Sequence, residues 1–135
     1  MSVEWSAYLS VGVDRIDDQH KEIIRQVNGF IEAINQGNGT AKVLDVLKFL
    51  TNYTVTHFHD EEEIMKETNY PHLGAHQKEH EKFCQDVQGL TDHITTKGVN
   101  KVTVLQTSHT MVNWLIQHIM NTDKALADHM RSLAA

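Results

Sequence analysis

In the stretch YTVTHFHDEEEIM, residues 53–65, two histidines and four acids stand within a few positions of one another. At about 100° per residue on a helix, Glu61 lies ~40° from His57 and shares its face, whereas His59 lies ~200° round and points away. His57 and Glu61 are therefore expected to face inward together, with His59 outward. An inward carboxylate is costly unless it is paired or bound to a cation, and neutral imidazoles bring no charge to compensate it. Imidazole and carboxylate together are metal donors, so the chemistry this spacing points to is metal ligation.

The elements that would carry such donors are long helices, because the chain holds one proline and seven glycines. A first helix, capped by Asp14 or Asp17, is expected to run to Gln36, where GNGT at Gly37 to Thr40 gives a stop and a new cap. A second is expected from about Thr40 to Thr68, and a third from Pro71, suited to a first turn, to Lys97. Gly98 then takes the C-terminal cap, and Asn100 opens a fourth helix reaching roughly Met120, with a short helical tail beyond Thr122. No run alternates long enough to propose a strand.

Each helix carries a stripe with spacings of three and four, the pattern of bundle packing. The stripes are Ile16, His20, Ile23, Val27, Phe30, Ile34; Val43, Leu47, Leu50, Thr54, His57, Glu61, Ile64; Leu73, His76, His80, Phe83, Val87, Leu90, Ile94; and Val104, Ser108, Met111, Leu115, His118. All are apolar for most of their length, and each is interrupted by histidine. The fold class is all-α: an up-down-up-down four-helix bundle with an N-terminal arm and a short C-terminal helix, one domain over residues 1–135. In that topology His20, His76 and His80, near helix starts, share a level with His57, Glu61 and His118, near helix ends. The opposite end is expected to be filled by Ile, Val, Leu and Phe.

A lone inward histidine is usually a hydrogen-bonded core residue, but five in one layer accumulate polar cost without compensation, which favours metal. Five imidazoles are too many for one tetrahedral zinc, and the layer has no thiolate. Asp123 follows His118 by five residues, ~140° round a regular helix, so it reaches the layer only from a loosened last turn; otherwise it caps the tail helix, and spacing alone leaves both readings open. With Asp123 included, two octahedral ions offer about twelve positions, of which five nitrogens, two bridging carboxylates and one shared oxygen fill about eleven. One open position suits a small diatomic ligand. HQKEH, residues 76–80, also matches the H-x-x-E-H pattern of inverzincin proteases with Glu79 as base. Glu79 lies off the His76/His80 face, however, and that pattern leaves His20, His57, Glu61 and His118 unexplained.

A net charge of -6 and the lack of a Lys/Arg cluster argue against nucleic acid or an anionic membrane surface as a partner. No apolar run is long enough for a membrane span, and the N-terminus lacks a secretory pattern, so a cytoplasmic location is expected. The single cysteine, Cys84, forms no internal disulfide and is expected to be a small core residue. The acids from Asp60 to Glu63, apart from Glu61, read as a solvated face, and His59, His72, His93, His109 and His129 as surface residues.

The segments DDQHKEI, HFHDEEEIM, HLGAHQKEH and WLIQHIMNTDKAL, in that order along the chain, resemble the hemerythrin family, in its single-domain bacterial type. The resemblance implies two iron ions with an oxo or hydroxo bridge, one held by His76, His80 and His118 and the other by His20 and His57, with Glu61 and Asp123 bridging. It also implies reversible binding of dioxygen, for carriage or storage, at the iron with fewer histidines, and no catalysis. Trp5, Ile23, Phe58, Trp114, Leu115 and Ile119 correspond to the family's apolar ligand pocket; at Ile23 the family more often has leucine. An oxygen or redox sensor, or a reductase of peroxide or nitric oxide, are the alternatives such a site leaves, and the chain is expected to carry no signalling module.

Overall fold

The computed structural model describes residues 3–134; Met1, Ser2 and Ala135 of the expected domain lie outside them. Helices α1 (Asp14–Asn35), α2 (Gly39–Glu67), α3 (Leu73–Lys97) and α4 (Lys101–Gln117) form the bundle, with α5 (Asp123–Ala134) at its end. Every regular element among the described residues is helical, as the expected all-α class requires. None of these helices is long and apolar enough to cross a membrane.

Short connections force neighbours to run antiparallel, and the contacts agree. His20 near the start of α1 meets Glu61 near the end of α2, and His76 and His80 near the start of α3 meet the same residue. Gly37 and Gly98, with φ of 82° and 88°, make the turns that end α1 and α3, a backbone region that side chains rarely enter. Asn100 caps α4 through a reciprocal pair of bonds with Thr103, each 3.0 Å. Gly39 begins α2 in close quarters: a Cβ there would stand 2.8 Å from Val104 Cγ1 and 2.9 Å from Ile34 Cγ1.

Three boundaries differ from expectation. Val13, not Asp14 or Asp17, occupies the N-cap of α1. The Asp17 carboxylate turns back to the arm, accepting from Ser10 Oγ at 2.5 Å and from the Val11 amide at 2.9 Å. It thus ties the arm to the helix instead of satisfying the helix's own amides. Thr40 lies inside α2, whose N-cap is Asn38. Pro71 sits in the turn before α3, which begins at Leu73. The arm itself runs back along α1, held by reciprocal bonds between the Val3 backbone and the Asn28 side chain at 2.9 and 2.7 Å.

The stripe on α2 is buried over its whole length, and those of α1, α3 and α4 are buried apart from half-buried Ile34, Leu73, Leu90 and Ser108. Ile23, Val27, Phe30, Leu47, Leu50, Phe83, Val87 and Met111 belong to one large apolar core on one side of the histidine layer. The layer is not the bundle's extremity. One turn further along lie Ile16, Ile64 and Ala127, with Met65, Tyr70 and Leu126 beside them. Helix α5 supplies part of this floor, so the polar layer is closed on both sides by hydrocarbon.

Candidate metal centre

All seven side chains expected to ligate metal converge in one layer, each 3 % exposed or less. Glu61 stands at the middle, and its two oxygens divide the imidazoles. Oε1 lies 2.5 Å from Nε2 of His76, 3.2 Å from that of His80 and 3.4 Å from that of His118. Oε2 lies 3.5 Å from Nε2 of His20 and 3.4 Å from that of His57. Asp123 repeats the division: Oδ1 is 3.0 Å from His76 and 3.1 Å from His118, while Oδ2 is 2.9 Å from His20. Two overlapping sets result, Glu61 with His76, His80 and His118, and Glu61 with His20, His57 and Asp123, their donor atoms within 4.8 Å of one another.

The reach of Asp123 comes from a local change of helix type. Residues His118–Thr122 form a π turn between α4 and α5, and the Asp123 amide donates to the His118 carbonyl five residues back. A turn closed from i to i+5 is wider than an α turn, so it returns the fifth residue toward the face of the first. This is the loosened last turn through which Asp123 was expected to reach the layer, if it did not instead serve only as a cap.

The donor set fits metal ions better than it fits itself. His20 Nε2, His57 Nε2, His76 Nε2, Glu61 Oε2 and both Asp123 oxygens are buried and make no hydrogen bond, although their partners stand 2.5–3.5 Å away. Atoms close enough to pair but not aligned to do so are aimed at common points between them, as ligands are. All donors are imidazole nitrogens and carboxylate oxygens, a set for first-row divalent and trivalent ions and not for soft metals.

Without a metal the same layer would hold protons. Burial lowers His20, but the carboxylates of Asp123 and Glu61 standing close to its Nε2 outweigh it and raise the imidazole to about 9. His76 rises to about 10 against burial beside the same two carboxylates, and against burial the Asp123 charge carries His118 to about 9. At His57 burial prevails and lowers it to about 3. Glu61 and Asp123, though burial pushes them up, are held below the usual carboxylate range by the surrounding imidazoles.

Behind the layer are outer partners that the spacing did not reveal. Gln19 Oε1 stands 2.9 Å from His57 Nδ1, and Gln19 Nε2 donates to Asp60 at 2.7 Å. Glu62 Oε2 stands 2.9 Å from His80 Nδ1 and its other oxygen accepts from Gln77 at 2.9 Å. Such contacts fix which nitrogen of an imidazole faces the metal. Asp60 and Glu62 are therefore not merely a solvated face, which corrects that expectation; both are half-buried. The available signal was adjacency, since Gln19 precedes His20 and Glu62 follows Glu61 on the flank turned toward the next helix.

His129 is also half-buried, its Nε2 2.9 Å from the Thr68 carbonyl, whereas His59, His72, His93 and His109 are exposed as expected. Cys84 is exposed, not a core residue; one position beyond buried Phe83, it falls about 100° off the inward stripe. Glu79 faces solvent, yet its Oε2 comes within 3.9 Å of His118 Nδ1.

Of the expected pocket residues, Ile23, Phe58, Leu115 and Ile119 are buried in the large core. Phe58 stacks on His80 at 3.9 Å between ring centres, 9° from parallel. Half-buried Trp114 stacks on His118 at 4.8 Å and 12°. Trp5 packs from the arm, with Lys21 Nζ 5.1 Å over its ring.

Comparison with known proteins agrees with this geometry. Residues 11–129 match the family model of the hemerythrin HHE cation binding domain. The chain is 33% identical over 128 residues to a bacteriohemerythrin of Stenotrophomonas maltophilia, covering 95% of this chain and 81% of that protein. It is 30% identical over 127 residues to a bacteriohemerythrin of Pseudomonas aeruginosa, with 94% and 80% covered. With a myohemerythrin of Sipunculus nudus it shares 29% over 119 residues, 88% and 86% of the two chains.

Proposed function

We propose that this chain, which belongs to the hemerythrin family, binds dioxygen reversibly at two non-heme iron ions, as a carrier or store. The observation that carries the reading is the division of two buried carboxylates between three imidazoles and two, with both oxygens of each facing opposite sets. His76, His80 and His118 would hold one iron and His20 and His57 the other, with Glu61 and Asp123 bridging and an oxo or hydroxo group completing the link. An iron pair held by these residues would supply the two electrons that dioxygen binding takes.

The protein's own task is to hold the pair and keep water from it. The buried imidazoles would keep their nitrogens in place through a change of oxidation state, His57 and His80 aided by Gln19 and Glu62, and His118 by the stacked Trp114. Ile23, Phe58, Leu115 and Ile119, with half-buried Trp5 and Trp114 packed against the same core, would exclude water near the site. A dry surround protects reversibility, since protons and water would promote release of reduced oxygen in place of dioxygen.

We further propose one domain over residues 1–135, acting in the cytoplasm without catalytic turnover, with no nucleic acid or membrane partner. An unpaired cysteine and a charge of -6 support this part. The deciding experiment is an iron count with visible spectra of the reduced protein before air, after air and after degassing. Two irons per chain and a colour that comes with air and goes with degassing support the carrier. Sustained consumption of peroxide or nitric oxide with a reductant would assign the site to turnover instead.

A further inference from the structure

We propose that Glu79 is a positioning residue for His118, closing onto its outer nitrogen when the layer holds metal; the inference rests on the di-iron reading above. It gives a role to the one acid of HQKEH that the ligand set leaves out. The starting point is an inequality among the five imidazoles. His57 and His80 each have an outer partner for Nδ1, at 2.9 Å. Nδ1 of His20, His76 and His118 is buried with no hydrogen bond. Among these three, only His118 has a carboxylate from outside the layer nearby, Glu79 Oε2 at 3.9 Å.

Ligation through Nε2 leaves the imidazole proton on Nδ1, where a buried N–H without an acceptor is unfavourable. Glu79 is placed to be that acceptor. It lies on α3 one residue before His80, on the flank turned toward α4, and its side chain is 49% exposed. It borders a cleft of about 350 Å³ between α3 and α4, lined also by Lys82, Asn113, Trp114, Gln117 and His118. The carboxylate therefore has room to swing, and a movement of about 1 Å brings it to hydrogen-bond length. Trp114, stacked on the His118 ring, keeps the imidazole from rotating away to another acceptor.

A carboxylate bonded to Nδ1–H makes the imidazole a stronger donor, which favours the ferric over the ferrous state at the three-histidine iron. The test compares Glu79→Leu, Glu79→Gln and, as a control for charge alone, exposed Glu81→Gln, each loaded with two irons. Two quantities are read: the midpoint potential of the iron pair, and the paramagnetically shifted exchangeable N–H resonances of the ligand imidazoles. Glu79→Leu is expected to weaken the ferric preference about tenfold, which is about 59 mV upward for one electron. Glu79→Gln should shift the potential less, one N–H resonance should move in both variants, and Glu81→Gln should change neither quantity. Unchanged potentials and resonances in both Glu79 variants, or an equal shift in Glu81→Gln, overturn the proposal. A wild-type iron count short of two overturns the di-iron reading itself, and is recorded before either variant is compared.

Discussion

Oδ2 of Asp123 stands 2.9 Å from Nε2 of His20, so the π turn after α4 reaches across to the first helix. Asp123→Asn keeps the size of the side chain and removes its charge from a fully buried site. The variant should fold, and its iron content should fall from two toward one or fewer per chain, because the amide is a poor bridge between two ions. Glu61→Ala should be more severe, since Glu61 alone approaches all five imidazoles. Iron analysis after gel filtration reads both; full di-iron occupancy in Glu61→Ala contradicts the bridging role.

Removing an outer partner should weaken the site without emptying it. Glu62→Leu and Gln19→Leu leave every ligand atom in place but free the Nδ1 nitrogens of His80 and His57. Metal affinity is expected to drop about 10- to 100-fold in each. Competition against a chelator of known strength measures the drop. Affinities within twofold of wild type would show that packing alone orients these rings.

The metal-free protein should have an unusual response to pH. His20, His76 and His118 are raised to about 9, 10 and 9 from an ordinary 6.5, so each favours folding while protonated. That stabilisation is complete below pH 6.5 and is lost as pH rises through 9 to 10. His57, lowered to about 3, acts in the opposite sense, costing stability as pH falls below 6.5. Thermal unfolding of chelator-treated protein should therefore peak near neutral to mildly acidic pH and decline toward pH 10, while the iron-loaded protein declines less. Iron uptake at pH 7 should release protons, measurable by calorimetry in buffers of different ionisation enthalpy. A metal-free melting temperature that rises from pH 7 to 10 would refute the assignment.

At the far end of the bundle, Gly39 offers a test of packing alone. A methyl group there meets Val104 and Ile34 at under 3 Å, and both are β-branched and stiff. Gly39→Ala should lose about 1–2 kcal/mol, since overpacking outweighs the gain in helix propensity. Denaturant unfolding reads the change, and the iron count should stay at the wild-type value.

The ligand layer was legible in the sequence because helical spacing is rigid. Once His57 and Glu61 share a face and the stripes are set, antiparallel order brings the other donors to the same height. Other features depended on side-chain reach, which spacing does not encode. Asp17 could equally cap a helix or bind the arm, and only the course of residues 3–11 decides between them. Glu62 belongs to an acidic run, and its turn toward His80 depends on the proximity of α3. The five-residue gap before Asp123 left open whether the acid caps the tail helix or reaches the layer, and it did not specify a π turn. Cys84 follows inward His80 by one turn, which suggests the core, but it falls about 100° beyond Phe83 on the stripe and is exposed.

The π turn also ties together two outcomes that would otherwise vary separately. Rewinding His118–Thr122 as a regular α turn, with all five residues kept, would set Asp123 about 140° round from His118. The acid would leave the imidazole layer, and Leu126 and Ala127 would turn away from the hydrocarbon floor in the same movement. The carboxylate's reach and the seating of α5 on the floor thus hang on the same wide turn.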